Sequence, residues 1–308
     1  METREVLMDR SQENRVDHNA LEKVVPDAVQ MEPGRWAIPR LNGRAFGVCV
    51  QSEHDWLLMS TLLLGAKEFR RYDADQVWRL LCGNAVIPGG VKFAASGDAS
   101  SLYMRSEIPL QNGMNGTYGL SDRIRDACKG FDRAHDLFCQ TGKKPAAKSD
   151  VKPPAPADLD GKQEVSSRLT EAGWHCVMRA DGTATVTLDV FNASCQASVC
   201  ILDGVGVRAW VDLDVTDDLN RVSRKALGLY LLAATGMMKM VRAAAGGSNG
   251  SARPLRLEAV SDASSGHYDL NHVLSALSCA AGLCAREVGV FNSERLAREY
   301  LSMRGWTP

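Results

Sequence analysis

The stretch that divides this chain is residues 141–162, which read TGKKPAAKSDVKPPAPADLDGK. It contains no aromatic residue, and its prolines cannot sit inside a helix or a central strand. A segment of this composition buries too little apolar surface to offset the entropy lost when it becomes ordered. We therefore expect a mobile spacer near the middle of the chain, with one folded unit on each side of it.

The composition is that of an ordinary soluble protein. The 308 residues are 45% hydrophobic and 24% charged, which indicates about two domains. The net charge of -1 creates no long-range field that would attract nucleic acid or an anionic membrane. The apolar run at 226–238 is too short to span a bilayer. We therefore expect neither nucleic acid nor a membrane as a partner.

The cysteines indicate a reduced, cytoplasmic protein. Their number is odd and no two are spaced C-x-x-C, which is typical of core thiols rather than of disulfides. The polar start of the chain has no signal-peptide pattern, which also favours the cytoplasm. The cysteines are Cys49, Cys82, Cys128, Cys139, Cys176, Cys195, Cys200, Cys279 and Cys284.

The residues before the spacer predict one α+β unit over 17–140, preceded by a disordered tail at 1–16. A short helix near residue 19 begins it, and the long amphipathic helix at 120–138 has apolar residues at helical spacing. Between these helices, a further helix at 73–84 separates three strands from two. The predicted strands are 36–41, 44–51, 56–64, 91–95 and 102–110.

The residues after the spacer, 163–308, nearly repeat this order. Apolar and polar residues alternate over 183–190 and 207–215, which indicates an antiparallel sheet with one buried face. A long apolar helix is predicted at 219–244, then a strand at 254–260 and a C-terminal helical region broken near Gly289. The fifth strand of the first unit has no evident counterpart here.

One motif suggests catalysis. Asp212 and Asp214, with Thr216, match the D-x-D-x-T nucleophile motif of the haloacid dehalogenase-like phosphohydrolases, in which one carboxylate attacks phosphorus beside Mg²⁺. In that family the motif follows a strand of a parallel α/β sheet, whereas here it ends a predicted antiparallel meander. We therefore interpret the two aspartates as solvent-facing residues and keep an aspartate-dependent Mg²⁺ phosphohydrolase as an alternative.

No other pattern predicts a cofactor or a metal site. Gly204 and Gly206 lack the third glycine of a dinucleotide-binding fingerprint, and the sequence contains no P-loop. No set of His and Cys residues has metal-ligand spacing. We therefore expect a protein that is not an enzyme and that needs neither a cofactor nor a metal.

The element order, helix-βββ-helix-ββ-helix, resembles the fold of the class I type III secretion chaperones, the Tir-chaperone-like group, and of the related YbjN-like domains. The sequence is most similar over 73–110. There, a predicted hairpin ends in the acidic-apolar-Pro-Leu string of Glu107 to Leu110, which is similar to the "leu-pro-leu" strand of that family. The chain departs from the family in carrying two units and in being less acidic.

The resemblance implies a non-catalytic function. Such chaperones are homodimers that bind an extended segment of a partner protein through apolar pockets and strand addition. Two linked copies would form an internal pseudo-dimer, and the chain could then be a monomer in solution. The strand at 56–64 is apolar on both faces, so we expect the peptide-binding residues around it. They are Trp56, Leu58, Met59, Leu62, Trp78 and Leu81.

A third hypothesis is a scaffold that oligomerises through the apolar helix at 219–244. It differs from the binding hypothesis in using that helix, rather than the strand at 56–64, as its contact surface.

The spacer hypothesis can be tested by proteolysis. Cleavage within 141–162 should leave two fragments that still co-elute in size-exclusion chromatography, because a pseudo-dimer is held by contacts between its units and the tether only raises their local concentration. Fragments that separate at once would show that the two units are independent.

Overall fold

In the computed structural model of this chain, the described residues are 21, 23–44, 46–53, 56–88, 90–110, 119–141, 159–190, 193–202, 206–215, 218–246, 255–261 and 270–308. The expected tail at 1–16 and most of the expected spacer, 142–158, lie outside them. We call the described residues up to 141 the first half and those from 159 onward the second half.

The first half contains six strands and three helices among its described residues. The middle helix, α2, begins with a capping box in which Asp73 and Gln76 each accept a hydrogen bond from the other's backbone N–H. The elements are β1 Val29–Glu32, β2 Arg35–Ile38, β3 Val48–Glu53, β4 Trp56–Leu64, α1 Ala66–Phe69, α2 Ala74–Asn84, β5 Lys92–Ala95, β6 Leu102–Pro109 and α3 Leu120–Thr141.

The second half repeats the order of strands. Its middle helix, α5, is capped by Asn220, whose side chain accepts a hydrogen bond from the Ser223 N–H. The elements are α4 Leu159–Glu171, β7 Cys176–Met178, β8 Ala184–Val190, β9 Ala193–Leu202, β10 Gly206–Asp212, α5 Arg221–Met237, β11 Val241–Ala245, β12 Leu255–Ser261, α6 Leu270–Val288 and α7 Glu294–Met303.

Each half forms one six-stranded antiparallel sheet. The strand orders are β1-β2-β3-β4-β6-β5 and β7-β8-β9-β10-β12-β11, so the two sheets have the same connectivity. In each, four strands form a meander, the middle helix follows, and the last two strands return to pair beside the fourth. The expected α+β class is confirmed, although each half has one more strand before its middle helix than predicted.

The predicted helix at 219–244 is wrong in its second part. Helix α5 ends at Met237, the chain turns at Met240 with a positive φ of 63°, and Val241–Ala245 is strand β11. This strand is the counterpart of β5 that the sequence did not reveal. All five of its residues are buried, so it lacks the polar-apolar alternation that identifies a strand.

Helices cover the inner face of each sheet. Helix α3 packs on β6 in the first half, with Ile124, Ala127 and Phe131 buried. Helix α6 packs on β8, β10 and β12 in the second half. The segment Leu270–Asn292, which includes α6, is long and apolar enough to cross a membrane by length and composition alone. Because α6 packs against the sheet, it functions as a core helix of this half.

The two halves contact each other through their middle helices. Helix α2 packs on α5 and on β11, while α5 packs on β5, so each middle helix lies against the other half's returning hairpin. Glycines make this approach possible. A Cβ atom on Gly228 would lie 2.7 Å from the Val77 side chain, and one on Gly236 would lie 2.2 Å from the Ala95 carbonyl oxygen.

Charged side chains are buried at this contact. In the first half, Lys92 Nζ lies 2.9 Å from the Glu107 carboxylate, and Arg105 lies 3.1 Å from the same group. Lys92 also donates to the carbonyl oxygens of Met238 and Val241, at 2.5 and 3.1 Å, across the contact. Burial lowers the pKa of Lys92, and the Glu107 carboxylate opposes that shift.

The second half has a matching arrangement. Glu258, which is fully buried, is paired with Arg242, Arg208 and Arg256 at 2.7, 2.5 and 2.9 Å. Burial alone would raise the pKa of Glu258, but the three guanidinium groups together bring it below its ordinary value. Arg242 donates to the carbonyl oxygens of Ile87 and Val91, at 2.8 and 2.9 Å, in the first half.

Cations of each half also donate hydrogen bonds to carbonyl groups at a helix end of the opposite half. Arg208 donates to the Ala85 carbonyl oxygen at the C-terminus of α2, and Arg105 donates to the Gly236 carbonyl oxygen in the last turn of α5, both at 2.8 Å. The C-terminus of a helix carries unpaired carbonyl groups and a partial negative charge, which a cation stabilises. Each half thus supplies the caps that the other half needs.

The C-terminal residues add a second link. Trp306 is buried, donates from its ring N–H to the Ala99 carbonyl oxygen at 3.2 Å, and packs edge-on against Phe69 of the first half. Lys225 lies 5.2 Å from the centre of the indole ring.

Removing the charge of Glu258 should destabilise the protein. Glu258→Gln would leave three buried guanidinium groups around a neutral side chain, and breaking a buried pair in this way costs about 3–5 kcal/mol. Because the pKa of Glu258 is lowered by folding, its contribution is present above the ordinary value of 4.5 and is lost as the pH falls below it. Urea denaturation at several pH values measures both effects.

The matched control for that experiment is Glu32→Gln, which removes an exposed pair with Arg35 and should change the free energy of unfolding by less than about 1 kcal/mol. Equal effects of the two substitutions would contradict the importance of the buried cluster.

Gly236→Ala should also be destabilising, by about 1–3 kcal/mol, because the new methyl group would collide with a backbone oxygen that cannot move independently. Gly289→Ala is the control, since no atom lies within 4 Å of its added Cβ. Thermal unfolding of both variants provides the measurement, and an unchanged midpoint for Gly236→Ala would contradict the close packing of the two halves.

Candidate functional site

Strand β4 presents two different faces. Leu57, Met59 and Thr61 point inward and are buried. The alternate residues point to the opposite, outer face of the sheet, where Trp56 and Leu58 are half-buried and Leu62 is 57% exposed. Alternation along the strand therefore separates the predicted site residues of β4 into two groups.

The predicted binding residues do not form one cluster. Met59 and Leu81 are fully buried in the core, where a partner cannot reach them. Trp78 is half-buried on α2, with the Arg224 guanidinium 4.9 Å from its ring centre. Only Trp56, Leu58 and Leu62 share the outer face of β4.

Tyr103 extends this group onto β6. It lies directly opposite Leu62 and is half-buried. We call Trp56, Leu58, Leu62 and Tyr103 the outer strip. The strands that carry it, β4 and β6, each have a neighbour on both sides, so their backbone hydrogen-bonding groups face paired strands. A ligand can therefore contact the side chains of the outer strip but cannot pair with the backbone of these two strands.

The second half forms one border of the outer strip. Lys239 Nζ lies 5.2 Å from the centre of the Trp56 ring and 3.8 Å from the Glu53 carboxylate. Two residues earlier in the chain, at the end of α5, the Met237 side chain is 69% exposed. At Trp56 the strip therefore meets the turn that follows α5, with one half-exposed cation on that border.

The corresponding strand of the other sheet has different residues. Strand β10 occupies the same place as β4, and Leu58 opposes Glu107 as Trp210 opposes Glu258. Counting four residues further along the chain in each half, Leu62 corresponds to Asp214, which is exposed and lies two residues beyond the end of β10. The second half thus has a charged residue just past its strand, where the first half exposes a leucine within β4.

The strand before Asp212 and Asp214 differs from that of the phosphohydrolase motif, which follows a strand of a parallel sheet. Asp212 ends β10, which is antiparallel to both of its neighbours, and it opposes Arg256. Burial raises the pKa of Asp212, against the effects of Arg256 and Arg179. Among the described residues, no group of three His, Cys, Asp or Glu side chains could hold a metal ion.

The apolar face of α5 is used inside the chain. Leu227, Leu229, Leu231 and Leu232 are all fully buried, against the neighbouring elements of both halves. The scaffold hypothesis required this face to contact another copy of the chain, and in the folded chain those leucines are not exposed.

The cysteines are free thiols, as expected. Burial raises the pKa of Cys128 to about 12 and the pKa values of Cys200 and Cys284 to about 11. These three thiols therefore stay protonated at neutral pH and are poor nucleophiles.

Sequence reasoning missed the buried charges. Lys92, Arg242 and Glu258 were not singled out, because an isolated charged residue in a strand usually faces water. One signal could have identified them: the string Arg-x-Glu occurs in both β6 and β12, as Arg105 with Glu107 and as Arg256 with Glu258.

Comparisons of this chain with protein-family models, with curated proteins and with solved structures found no match.

Proposed function

We propose that this chain is a non-catalytic protein that binds a protein or peptide partner through the outer strip. The observation that carries the proposal is the difference between the two sheets. At corresponding exposed positions, the first half has Leu62 and the second has Asp214. Leu62 does not fill the core, and with Trp56, Leu58 and Tyr103 it forms a group of exposed and half-buried apolar side chains, which is typical of an interaction surface.

The energetic scale fits a modest interaction. Complete burial of one leucine contributes about 1.5–3 kcal/mol. Leu58 and Leu62, together with the aromatic rings of Trp56 and Tyr103, offer a surface of the composition that binding hot spots favour. A partner that covers these four side chains would gain affinity from apolar contact.

We further propose that the two halves are linked, chaperone-like units that form an internal pseudo-dimer, as the resemblance to type III secretion chaperones implies. The shared strand order and the reciprocal caps on α2 and α5 support this. The free thiols are compatible with a cytoplasmic location. In this proposal the second half completes the fold of the first and borders its binding surface.

Photocrosslinking tests the location of the binding surface. Benzoylphenylalanine at position 62 of the full chain, expressed in its source cells, should form a discrete adduct with a partner protein. The same amino acid at position 283 is the matched control, because Leu62 and Leu283 are 57% and 58% exposed on different surfaces.

In a second version of the chain, which carries benzoylphenylalanine at position 103 of the outer strip instead, Leu62→Asp should abolish recovery of the crosslinked partner, whereas Leu283→Asp should not. Leu62→Asp changes a side chain that is 57% exposed and is therefore expected to fold normally. Identical adducts from positions 62 and 283 would show that the outer strip is not a specific binding surface.

A further inference from the structure

The outer strip is continuous with the contact between the halves. Leu62, Tyr103 and Ala94 oppose one another across β4, β6 and β5, and all three lie on the outer face. At the β5 end of this row, the last turn of α5 packs on the sheet, with Gly236 against Ala94 and Ala95. The chain therefore already places a helix on this face, and that helix covers β5 but leaves β4 and part of β6 exposed.

The dimensions of the exposed part fit another helix. From Trp56 to Leu62 the strip extends about 20 Å, at about 3.3 Å per residue of strand. A helix of about 13 residues has the same length at 1.5 Å per residue. On the outer face of β6, Arg105 and Glu107 are already held at the contact with the second half, so a helix on the strip would rest on β4 and the neighbouring strand β3. Two neighbouring strands are about 10 Å wide, which is close to the diameter of a helix with its side chains.

An extended segment fits this surface less well. Strand addition requires an unpaired sheet edge, and β4 lies between β3 and β6. A strand laid flat on the face could bury only alternate side chains and would leave its own backbone groups facing the apolar strip. A helix satisfies its backbone internally and presents a continuous apolar stripe.

We propose that the outer strip binds an amphipathic α-helix of about 13 residues from a partner protein, laid along β4 beside the last turn of α5, with acidic side chains on the flank that faces Lys239. The acidic flank is inferred from Lys239, which is half-exposed on that border. Its Nζ lies 3.8 Å from the Glu53 carboxylate. This inference rests on the proposed function and names the form of its ligand.

Selection from a random library of displayed 16-residue peptides tests the form of the ligand. The full-length protein is the target. Peptides that also bind the Leu62→Asp protein are discarded, because they bind elsewhere. The enriched sequences should have apolar residues at i, i+3 or i+4, and i+7, with acidic residues beside them. Synthetic copies should gain helical circular dichroism on binding, and a central proline should weaken binding at least tenfold.

The charge assignment has its own variant. Lys239→Glu should weaken the selected peptides about tenfold, and Lys67→Glu, on α1, should leave their affinity unchanged. Equal affinities for wild type and Lys239→Glu would overturn the assignment of the acidic flank.

The outcomes separate the two proposals. Enriched peptides that alternate apolar and polar residues, and that tolerate proline, would overturn the helical ligand but leave the binding function standing. A second outcome would also overturn only the helical ligand. In it, no selected peptide binds wild type more tightly than Leu62→Asp, yet the crosslinked partner is still recovered through position 62. Both proposals fail when neither experiment depends on Leu62.

Discussion

The rest of this structure depends on the exchange of cations between its two halves. Five cationic side chains lie around two buried carboxylates at the contact: Lys92, Arg105, Arg208, Arg242 and Arg256 around Glu107 and Glu258. The excess positive charge is placed at the C-terminal ends of α2 and α5, where backbone carbonyl groups accept its hydrogen bonds. Buried ion pairs add little net stability, because desolvation offsets their attraction. We propose that their effect is to favour one arrangement of the halves, in which every charge of the cluster has a partner.

This constraint explains the position of the outer strip. Because the last turn of α5 must reach Arg105 and Lys92, it lies on the outer face of β5 and stops there. The remaining outer face, on β4 and at Tyr103 of β6, is bordered by the second half but not covered by it. The contact that organises the fold thus also defines the edge of the surface that we propose for binding.

Much of the fold could be predicted from local sequence patterns. The alternation over β8 and the acidic capping residue of α2 are local signals, and both elements were predicted close to their observed bounds. Strand β1 was missed because it has only four residues, all exposed, and β11 because all its residues are buried. Such strands have no alternation to detect, and only pairing with distant strands identifies them.

The candidate site was predictable only in part, for a similar reason. Alternation along the strand places Trp56, Leu58 and Leu62 on one face of β4. It could not show which face the helices cover, so Met59 and Leu81, both fully buried, were grouped with them. The burial of Lys92 was equally invisible, since its acceptors at Met238 and Val241 are 146 and 149 residues away in the chain.

That separation along the chain also has a consequence for synthesis on the ribosome. Lys92 emerges long before the carbonyl groups that accept its hydrogen bonds, and at roughly 5–20 residues per second the interval is about 7–30 s. During this time the first half contains a cation and a helix end that only the second half can satisfy. Until then water or a temporary partner has to satisfy these groups, and the final packing of the returning hairpin waits for the second half to emerge.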